Sequence, residues 1–320
     1  MGGFDAIKGR ELLLLAACIL AVAAFSLASP YFGTADNAAT ILRNSIELLL
    51  IGLGMTLLMA MGGIDVSIGI VMGLAAITVG TLLGRDAAPV VAALAGVATG
   101  ALLGIVTAAV VVLGRVPAIV ATLGLLGVYR TAIYVSLGGE WLSGLPATLT
   151  ALLQARLLGV PAAAIIIALA YLAAWLALRR TPYGLHLLAI GNSEEKARLA
   201  GVAVRRVQFA TFVVSGMLAG LAAVFYVGSY RNVEMTVGGS LALDAIAAVV
   251  LGGTSILGGR CSLLGTALGV VLLRVLQNGL LLVGVPSLWQ TVVTGALLIA
   301  VLGLETVSGR LNLARLGLAR

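Results

Sequence analysis

The chain has 320 residues, of which 61% are hydrophobic and 10% are charged, and its formal net charge at pH 7 is +7. Soluble domains carry about 25% charged residues, so too few polar side chains remain here to cover a surface in water. The composition therefore excludes a soluble globular protein and indicates a chain that lies in a bilayer.

Ten apolar runs follow one another along the chain without the alternation that is typical of barrel strands. A helix of about 20 residues covers about 30 Å, the hydrocarbon thickness of a bilayer. The sequence therefore predicts an all-α integral membrane protein, a polytopic bundle of about ten transmembrane helices in a single domain, 1–320. The predicted spans are 12–29, 45–62, 66–84, 89–112, 117–137, 160–178, 208–228, 242–257 (short, possible as a re-entrant segment), 264–283 and 287–305.

The first run follows Lys8 and Arg10, a pattern shared by signal peptides and first membrane helices. Because nine further runs follow, we interpret it as the first membrane helix. Cys18 and Cys261 lie far apart, in or beside predicted spans, and form neither a disulfide framework nor a metal motif. We interpret both cysteines as small packing residues.

The basic residues predict the orientation of the bundle. With the N-terminus in the cytoplasm and spans alternating, thirteen of the 19 basic residues lie in cytoplasmic segments and four in outer loops. This bias follows the positive-inside rule and predicts that both termini are cytoplasmic, with a tail at about 306–320. The cytoplasmic set is Lys8, Arg10, Arg115, Arg179, Arg180, Lys196, Arg198, Arg205, Arg206, Arg260, Arg310, Arg315 and Arg320; the outer set is Arg43, Arg85, Arg156 and Arg231.

Two Gly-Gly pairs interrupt the apolar pattern, in "GGIDVSIG" from residue 62 and in "GGTSILGG" from residue 252. Such breaks predict discontinuous helices, which in transporters often occur at corresponding places in two halves. Asp65 or Ser67 could cap the helix that restarts after the first break. The alternative is that Asp65 and Ser67 contact substrate in the translocation pathway.

Polar groups within predicted spans are costly in lipid, so each carries a functional hypothesis. Asp244 is either a helix cap, a pathway residue or the ion-pair partner of Arg130 or Arg274. Gln277 and Asn278 follow Arg274 by three and four residues and share its helical face. That face serves inter-helix bonding or recognition of substrate hydroxyls. The pathway candidates are Asp65, Ser67, Arg130, Asp244, Arg274, Gln277 and Asn278, while Glu47 and Arg130 are also interpreted as structural ion-pair or interface residues.

Enzymatic chemistry has no support in the sequence. Neither Lys8 nor Lys196 follows a glycine, so the chain contains no phosphate-binding GxxxxGK[ST] loop. It has a single histidine, His186, and no metal-ligand cluster or catalytic triad can be identified. We expect no catalytic residue, no metal, no cofactor and no nucleic-acid partner.

Four quoted segments carry a family resemblance. They are "MGGIDVSIGIVMGLAA" (61–76), "VPAIVATLGLLGVYRTAIYVSLGGEWLSGLP" (116–146), "TPYGLHLLAIGNSEEKARLAGV" (181–202) and "LDAIAAVVLGGTSILGGRCSLLGTALGVVLLRVLQNGLLLVGVPSLWQ" (243–290). In this order they resemble the permeases of bacterial ABC importers for monosaccharides of the ribose, xylose and arabinose type. The sequence of segment 116–146 is most similar to permeases for autoinducer-2 and rhamnose. Ser193 and Cys261 depart from the usual pattern without putting the family in doubt.

The resemblance implies a bacterial inner-membrane subunit with several partners. These are an ATP-binding cassette ATPase that holds ATP and Mg²⁺, a periplasmic sugar-binding protein, a second permease (the same chain or a paralogue) and membrane lipid. It also implies that the cytoplasmic loop 179–207 docks on the ATPase through a coupling helix. The implied coupling residues are Asn192, Glu194, Glu195, Ala197, Arg198 and Gly201.

Local chemistry agrees with a short helix in this loop. Asn192 or Ser193 can cap it, Glu194 and Glu195 suit its positive first turn, and Gly201 suits the position after its end. The alternative is a solvated basic loop that only holds the orientation. We therefore expect an ATP-driven importer of a neutral monosaccharide or sugar-like signal. The other classes are an ion-coupled secondary transporter of a small neutral solute, using Asp65, Asp244 and Arg130, and a channel or scaffold.

Overall fold

The computed structural model describes residues 5–157, 159–286, 289–296 and 299. The hairpin strands β1 (Arg156–Leu157) and β2 (Val160–Pro161) pair antiparallel, and residues 289–296 are helical. The helices are α1 (Asp5–Ala28), α2 (Ala35–Ala60), α3 (Ile68–Leu83), α4 (Pro89–Ala108, extended by a π-helical turn, Ala109–Leu113), α5 (Ala118–Leu137), α6 (Thr148–Gln154), α7 (Ala162–Arg180), α8 (Pro182–Asn192), α9 (Glu194–Leu199), α10 (Val204–Tyr230), α11 (Leu241–Leu251) and α12 (Leu263–Leu282).

Seven helices in the described ranges are long and apolar enough to cross a membrane, namely α1, α2, α4 with its π-helical turn, α5, α7, α10 and α12. The apolar helices α3 and α11 are shorter. These nine helices coincide with the first nine predicted spans, and the chain is a multi-pass membrane protein. The tenth predicted span, 287–305, falls largely outside the described residues, and the predicted tail, 306–320, falls wholly outside them.

Several boundaries differ from the sequence prediction, and two of them matter for the loops. Helix α2 begins ten residues before the predicted start at residue 45. Thr34 caps it, with the side-chain oxygen accepting a hydrogen bond from the Asn37 amide at 3.2 Å. Arg43, predicted to lie in an outer loop, is therefore within the helix. Helix α11 ends at Leu251, before the Gly-Gly pair that the predicted span had included.

The connecting segments group at two ends of the bundle. At the elbow end, defined by α8 and α9, lie the loops 61–67, 114–117 and 252–262. Helix α6 lies at the hairpin end, defined by β1 and β2. The loop that follows α10 begins at the same end, where the Val233 amide donates to Leu142 O at 2.7 Å. Successive loops alternate between these ends, as the predicted topology requires.

Helix α10 lies at the centre of the bundle and packs against α2, α3 and α4. A Cβ at Gly100 would overlap the carbonyl oxygen of Gly216, one at Gly104 that of Phe212, and one at Gly220 that of Gly96. The glycines of α4 therefore let the α4 and α10 backbones touch.

Candidate functional site

Two short helices begin inside the bundle rather than at its surface. The segment 231–240 runs along α3 from the hairpin end, with Val233 against Gly80 and Val237 against Gly73. At its far end the Gly238 carbonyl contacts Gly69 in the first turn of α3. Gly80 and Gly69 are separated by about 16 Å of helix, about half of a hydrocarbon core. The N-termini of α3 and α11 therefore meet deep within the bundle, whereas the two Gly-Gly pairs lie in the loops that follow α2 and α11.

Asp65 organises the turn that precedes α3. The Ser67 amide and the Ser67 hydroxyl both donate to Asp65 Oδ1, at 2.8 and 2.6 Å. The Val66 amide donates to Thr122 Oγ1 at 3.2 Å, which ties the same turn to α5. Asp65 and Ser67 are buried. Asp65 accepts from a backbone amide ahead of α3, as the capping interpretation predicts, whereas the Ser67 side chain makes no cap bond. A role of either residue in the pathway stays a prediction.

Four polar residues form a buried cluster between α2, α11 and α12. Arg274 interacts electrostatically with both Glu47 and Asp244. Its Nη1 donates to Gln277 Oε1 at 2.8 Å, and the Gln277 side chain lies within hydrogen-bonding reach of Asp244. Glu47 and Asp244 are 5% and 8% exposed, Arg274 is partly exposed, and the described residues show no close ion pair among the three. Of the two predicted partners of Asp244, the structure brings Arg274 close.

The remaining pathway candidates differ in position. Asn278 Oδ1 is buried and has no hydrogen-bond partner in the described part of the chain. Such an orphaned acceptor is a free attachment point for a ligand hydroxyl. Arg130 is exposed on α5, on a face that the rest of this protomer leaves uncovered. The structure therefore does not bring Arg130 into the cluster around Arg274.

Helix α9 lies where the sequence predicts a coupling helix. Ser193 is its N-cap, accepting from the Lys196 amide at 3.3 Å, whereas Asn192 ends α8 and donates to Leu188 O at 3.0 Å. At the other end the Val202 amide donates to Ala197 O at 3.0 Å, and Gly201 has φ +83°.

A left-handed residue followed by this bond is a Schellman motif, which stops the helix. The bond from the Gly201 amide to Arg198 O, at 3.0 Å, completes it.

The coupling residues point in two directions. Ala197 is 4% exposed and packs into the bundle with Leu187 and Val207. Glu194 forms an ion pair with Arg198 at 2.6 Å and accepts from Gln208 Nε2 of α10 at 3.4 Å.

Glu195 and Leu199 face outward, and Leu199 is 83% exposed.

The end of α8 contacts both Gly-Gly loops. A Cβ at Gly191 would overlap the carbonyl oxygen of Ala60 and the amide nitrogen of Gly259. The Gly259 amide itself donates to Ala60 O at 3.0 Å, the last carbonyl of α2. Helix α8 is also tied to α10, because Tyr183 and Thr211 share a hydrogen bond of 2.8 Å between their hydroxyls. A displacement of α8 and α9 therefore acts directly on the loops before α3 and after α11.

A cavity of about 880 Å³ opens beside α9 at the elbow end. Its rim carries Arg115, Arg198, Arg205 and Arg206, and Glu194 is the acidic residue among those that line it. This end of the bundle therefore has a positive potential that suits an acidic partner surface. Near it, burial raises the pKa of the Cys261 thiol to about 11, and Arg179 only partly offsets that effect. Cys261 is thus a neutral thiol at pH 7, as expected for a packing residue.

Sequence reasoning missed two features of this site. Gly191 was not singled out, because only the fold shows which backbones cross there. Leu199 and Leu257, 83% and 88% exposed, were not separated from the many other leucines. Their signal in the sequence was weak, since Leu199 follows a charged segment and Leu257 ends the predicted span 242–257 just before two glycines.

Comparison with known proteins agrees with this geometry. The profile of the family described as "Branched-chain amino acid transport system / permease component" matches residues 37–302. The autoinducer 2 import system permease protein LsrC of Enterobacter sp. (strain 638) is 38% identical over 309 residues, 96% of this chain and 89% of that protein.

Two ribose import permease proteins RbsC are also similar. The protein of Escherichia coli (strain K12) is 35% identical over 298 residues, 90% of this chain and 91% of its own length. The protein of Bacillus subtilis (strain 168) is 36% identical over 280 residues, 87% of both chains. No solved structure was found to match significantly. The chain therefore belongs to this family of membrane permease components of transport systems.

Proposed function

We propose that this chain is the transmembrane permease subunit of an ATP-driven importer. Its substrate is a neutral monosaccharide or a sugar-like signal of the ribose, rhamnose or autoinducer-2 type. The similar proteins are ribose and autoinducer 2 permeases, which supports this substrate class over the amino acids in the family description. The electrostatic interaction of Arg274 with both Glu47 and Asp244 is also compatible with a neutral substrate.

The observation that carries the proposal is the double contact of α8 and α9. Their buried side, through Gly191 and Ala197, touches the loops next to the two short helices, while Leu199 and Glu195 face outward. A partner that binds the outer side and changes shape with ATP can therefore move both short helices at once. Because α3 and α11 meet deep in the bundle, that movement opens or closes the path between them.

The chain's own residues supply binding and positioning for a polyol. The side-chain oxygen of Asn278, which has no hydrogen-bond partner in the described part of the chain, is an acceptor for a sugar hydroxyl. Asp65 holds the start of α3 in place through Ser67. Glu47, Arg274 and Asp244 fix α2, α11 and α12 relative to one another.

The remaining parts of the importer follow from the same proposal. The chain crosses the bacterial inner membrane ten times, with the elbow end and both termini in the cytoplasm. It pairs with a second permease copy or a paralogue and with two ATPase subunits, which hold ATP and Mg²⁺ and carry out the hydrolysis. A periplasmic binding protein delivers the sugar at the hairpin end.

The experiment is mass spectrometry of the proteins that co-purify with the tagged chain from its native membrane. The variant Glu194→Ala/Gly201→Trp removes the ion pair and the C-terminal stop of α9. Glu140→Ala, at the hairpin end, is the matched control. A P-loop ATPase that co-purifies with the wild type and with Glu140→Ala, and is lost in the double variant, supports the importer.

An ion-coupled transporter is the second candidate, because Glu47 and Asp244 are acidic groups buried within the bundle beside the partly buried Arg274. Uptake that a protonophore abolishes, and that persists when the ATPase is inactive, supports this class instead. Absence of any ATPase from gentle detergent extracts points the same way.

A further inference from the structure

A second cavity, of about 890 Å³, lies at the hairpin end between α2, α7 and α10. We propose that this cavity binds one membrane phospholipid, with its phosphate between Arg43 and Arg156 and its acyl chains along α2 and α7. The proposal goes beyond sugar import and does not depend on it, because the lipid site uses none of the residues assigned to coupling or to the pathway.

The walls of the cavity are apolar along one leaflet. Helix α2 contributes Ala39, Leu42 and Leu49, which lie on one face at helical spacing. Ten residues of helix from Ala39 to Leu49 cover about 15 Å, half of a hydrocarbon core of about 30 Å. Helix α7 supplies the opposite wall with small residues, including Ala164 and Ala168. The depth thus matches the acyl region of a single leaflet.

The floor of the cavity is closed. The Tyr171 hydroxyl crosses from α7 and donates to the carbonyl oxygen of Leu49 in α2 at 3.1 Å. Phe225 of α10, 1% exposed, and Ala267 of α12 line the same cavity. An acyl chain in this space gains dispersion contacts on several sides, whereas water would find few partners.

Polar groups gather at the mouth. Arg43 on α2 and Arg156 on β1 line the cavity together with Thr150, Gln154 and Ser229. Both arginines are exposed, and neither forms an ion pair within the described ranges. Guanidinium groups bind phosphate oxygens with two parallel hydrogen bonds, and a long arginine side chain reaches from a helix to headgroup level. The charge and the shape therefore fit a phospholipid.

A sugar does not fit this cavity. The hydroxyl groups of a sugar need hydrogen-bond partners on all sides, and burying them against Ala, Leu and Ile side chains is unfavourable. The pathway candidates Asp65, Asp244 and Asn278 do not line it.

Native mass spectrometry of the purified full chain, delipidated and then titrated with phosphatidylglycerol, tests the proposal. We expect one tightly bound lipid per protomer in the wild type and in the control Arg85→Gln, an arginine at the same end outside the cavity. We expect at least ten-fold weaker binding in Arg43→Gln/Arg156→Gln. Unchanged binding in that double variant, or equal competition by inorganic phosphate, overturns the proposal.

A second pair of variants tests the acyl site without changing charge. Ala168→Trp fills the cavity from an exposed position of α7, and Ala173→Trp places the same ring on α7 outside the cavity. We expect Ala168→Trp alone to lose the bound lipid. An unchanged number of bound lipids in Ala168→Trp overturns the proposal. If the oligomeric state of Ala168→Trp changes while the number of bound lipids does not, the cavity is a protein interface.

Discussion

The backbone amide of Gly259 donates to the carbonyl oxygen of Ala60 at 3.0 Å, although the two residues lie almost 200 positions apart. This bond joins the end of α2 to the loop between α11 and α12. The end of α8 contacts both atoms through Gly191. The two Gly-Gly loops and the α8–α9 pair therefore form one junction, and a force on α9 reaches both loops through backbone contacts alone.

Gly191→Ala tests this junction. The added Cβ overlaps two backbone atoms that cannot rotate away, so the loops must shift. We expect a loss of stability of about 1–3 kcal/mol from overpacking, and a larger loss of sugar uptake than of ATPase binding. Thermal unfolding in detergent, uptake and co-purification measure the three quantities. Gly127→Ala on α5 is the control, because a Cβ there meets nothing within 4 Å. Full uptake by Gly191→Ala contradicts a mechanical role for the junction.

The end of α9 gives a second test, at Gly201. With φ +83°, an alanine there costs about 1–2 kcal/mol in the left-handed region, which unravels a six-residue helix. We expect Gly201→Ala to lower the coupling of ATP hydrolysis to uptake in reconstituted vesicles while the bundle stays folded. Gly144→Ala is the matched control, because Gly144 also has a positive φ (67°) and room for a Cβ but lies at the hairpin end. Equal effects of the two variants argue against a special role for α9.

Much of the fold could be predicted because lipid leaves few choices. A bilayer requires apolar helices of fixed length, so composition and run length located nine helices, and the basic residues predicted how the loops alternate. The cap at Ser193 and the stop at Gly201 are local chemistry, and both were readable from the sequence. The prediction was weaker at Arg43, because one arginine interrupts an apolar run without ending a helix.

Contacts between distant segments could not be predicted in the same way. The sequence around Gly191 and Gly238 does not show which backbone segment lies against each glycine, because a residue without a side chain can pack against many different neighbours. Arg130 and Arg274 are also alike in sequence, since each is one arginine within an apolar helix. Only the packing of α5 and α12 shows that Arg130 faces outward and that Arg274 reaches Glu47 and Asp244.

Arg274→Leu is expected to destabilise the bundle. It removes the cation whose charge acts on the buried Glu47 and Asp244, and we expect a loss of about 1–3 kcal/mol. Adding Glu47→Gln and Asp244→Asn to the same chain is expected to restore most of the lost thermal stability, because no buried charge then remains in the cluster. Unfolding temperatures of the single and triple variants measure this rescue. A triple variant as unstable as Arg274→Leu contradicts the electrostatic account.

Asn278→Leu separates substrate recognition from structure. Asn278 Oδ1 makes no hydrogen bond within the described residues, so replacing the amide by a side chain of similar size leaves no partner unsatisfied. We therefore expect a thermal stability within about 0.5 kcal/mol of the wild type or higher. If a sugar hydroxyl donates to this oxygen, the KM for uptake rises several-fold while ATPase binding is unchanged. Ser136→Leu on α5, an exposed polar-to-apolar change away from the cluster, is the control. An unchanged KM would show that Asn278 lies outside the sugar path, and a large loss of stability would show that its amide is bonded in the native membrane.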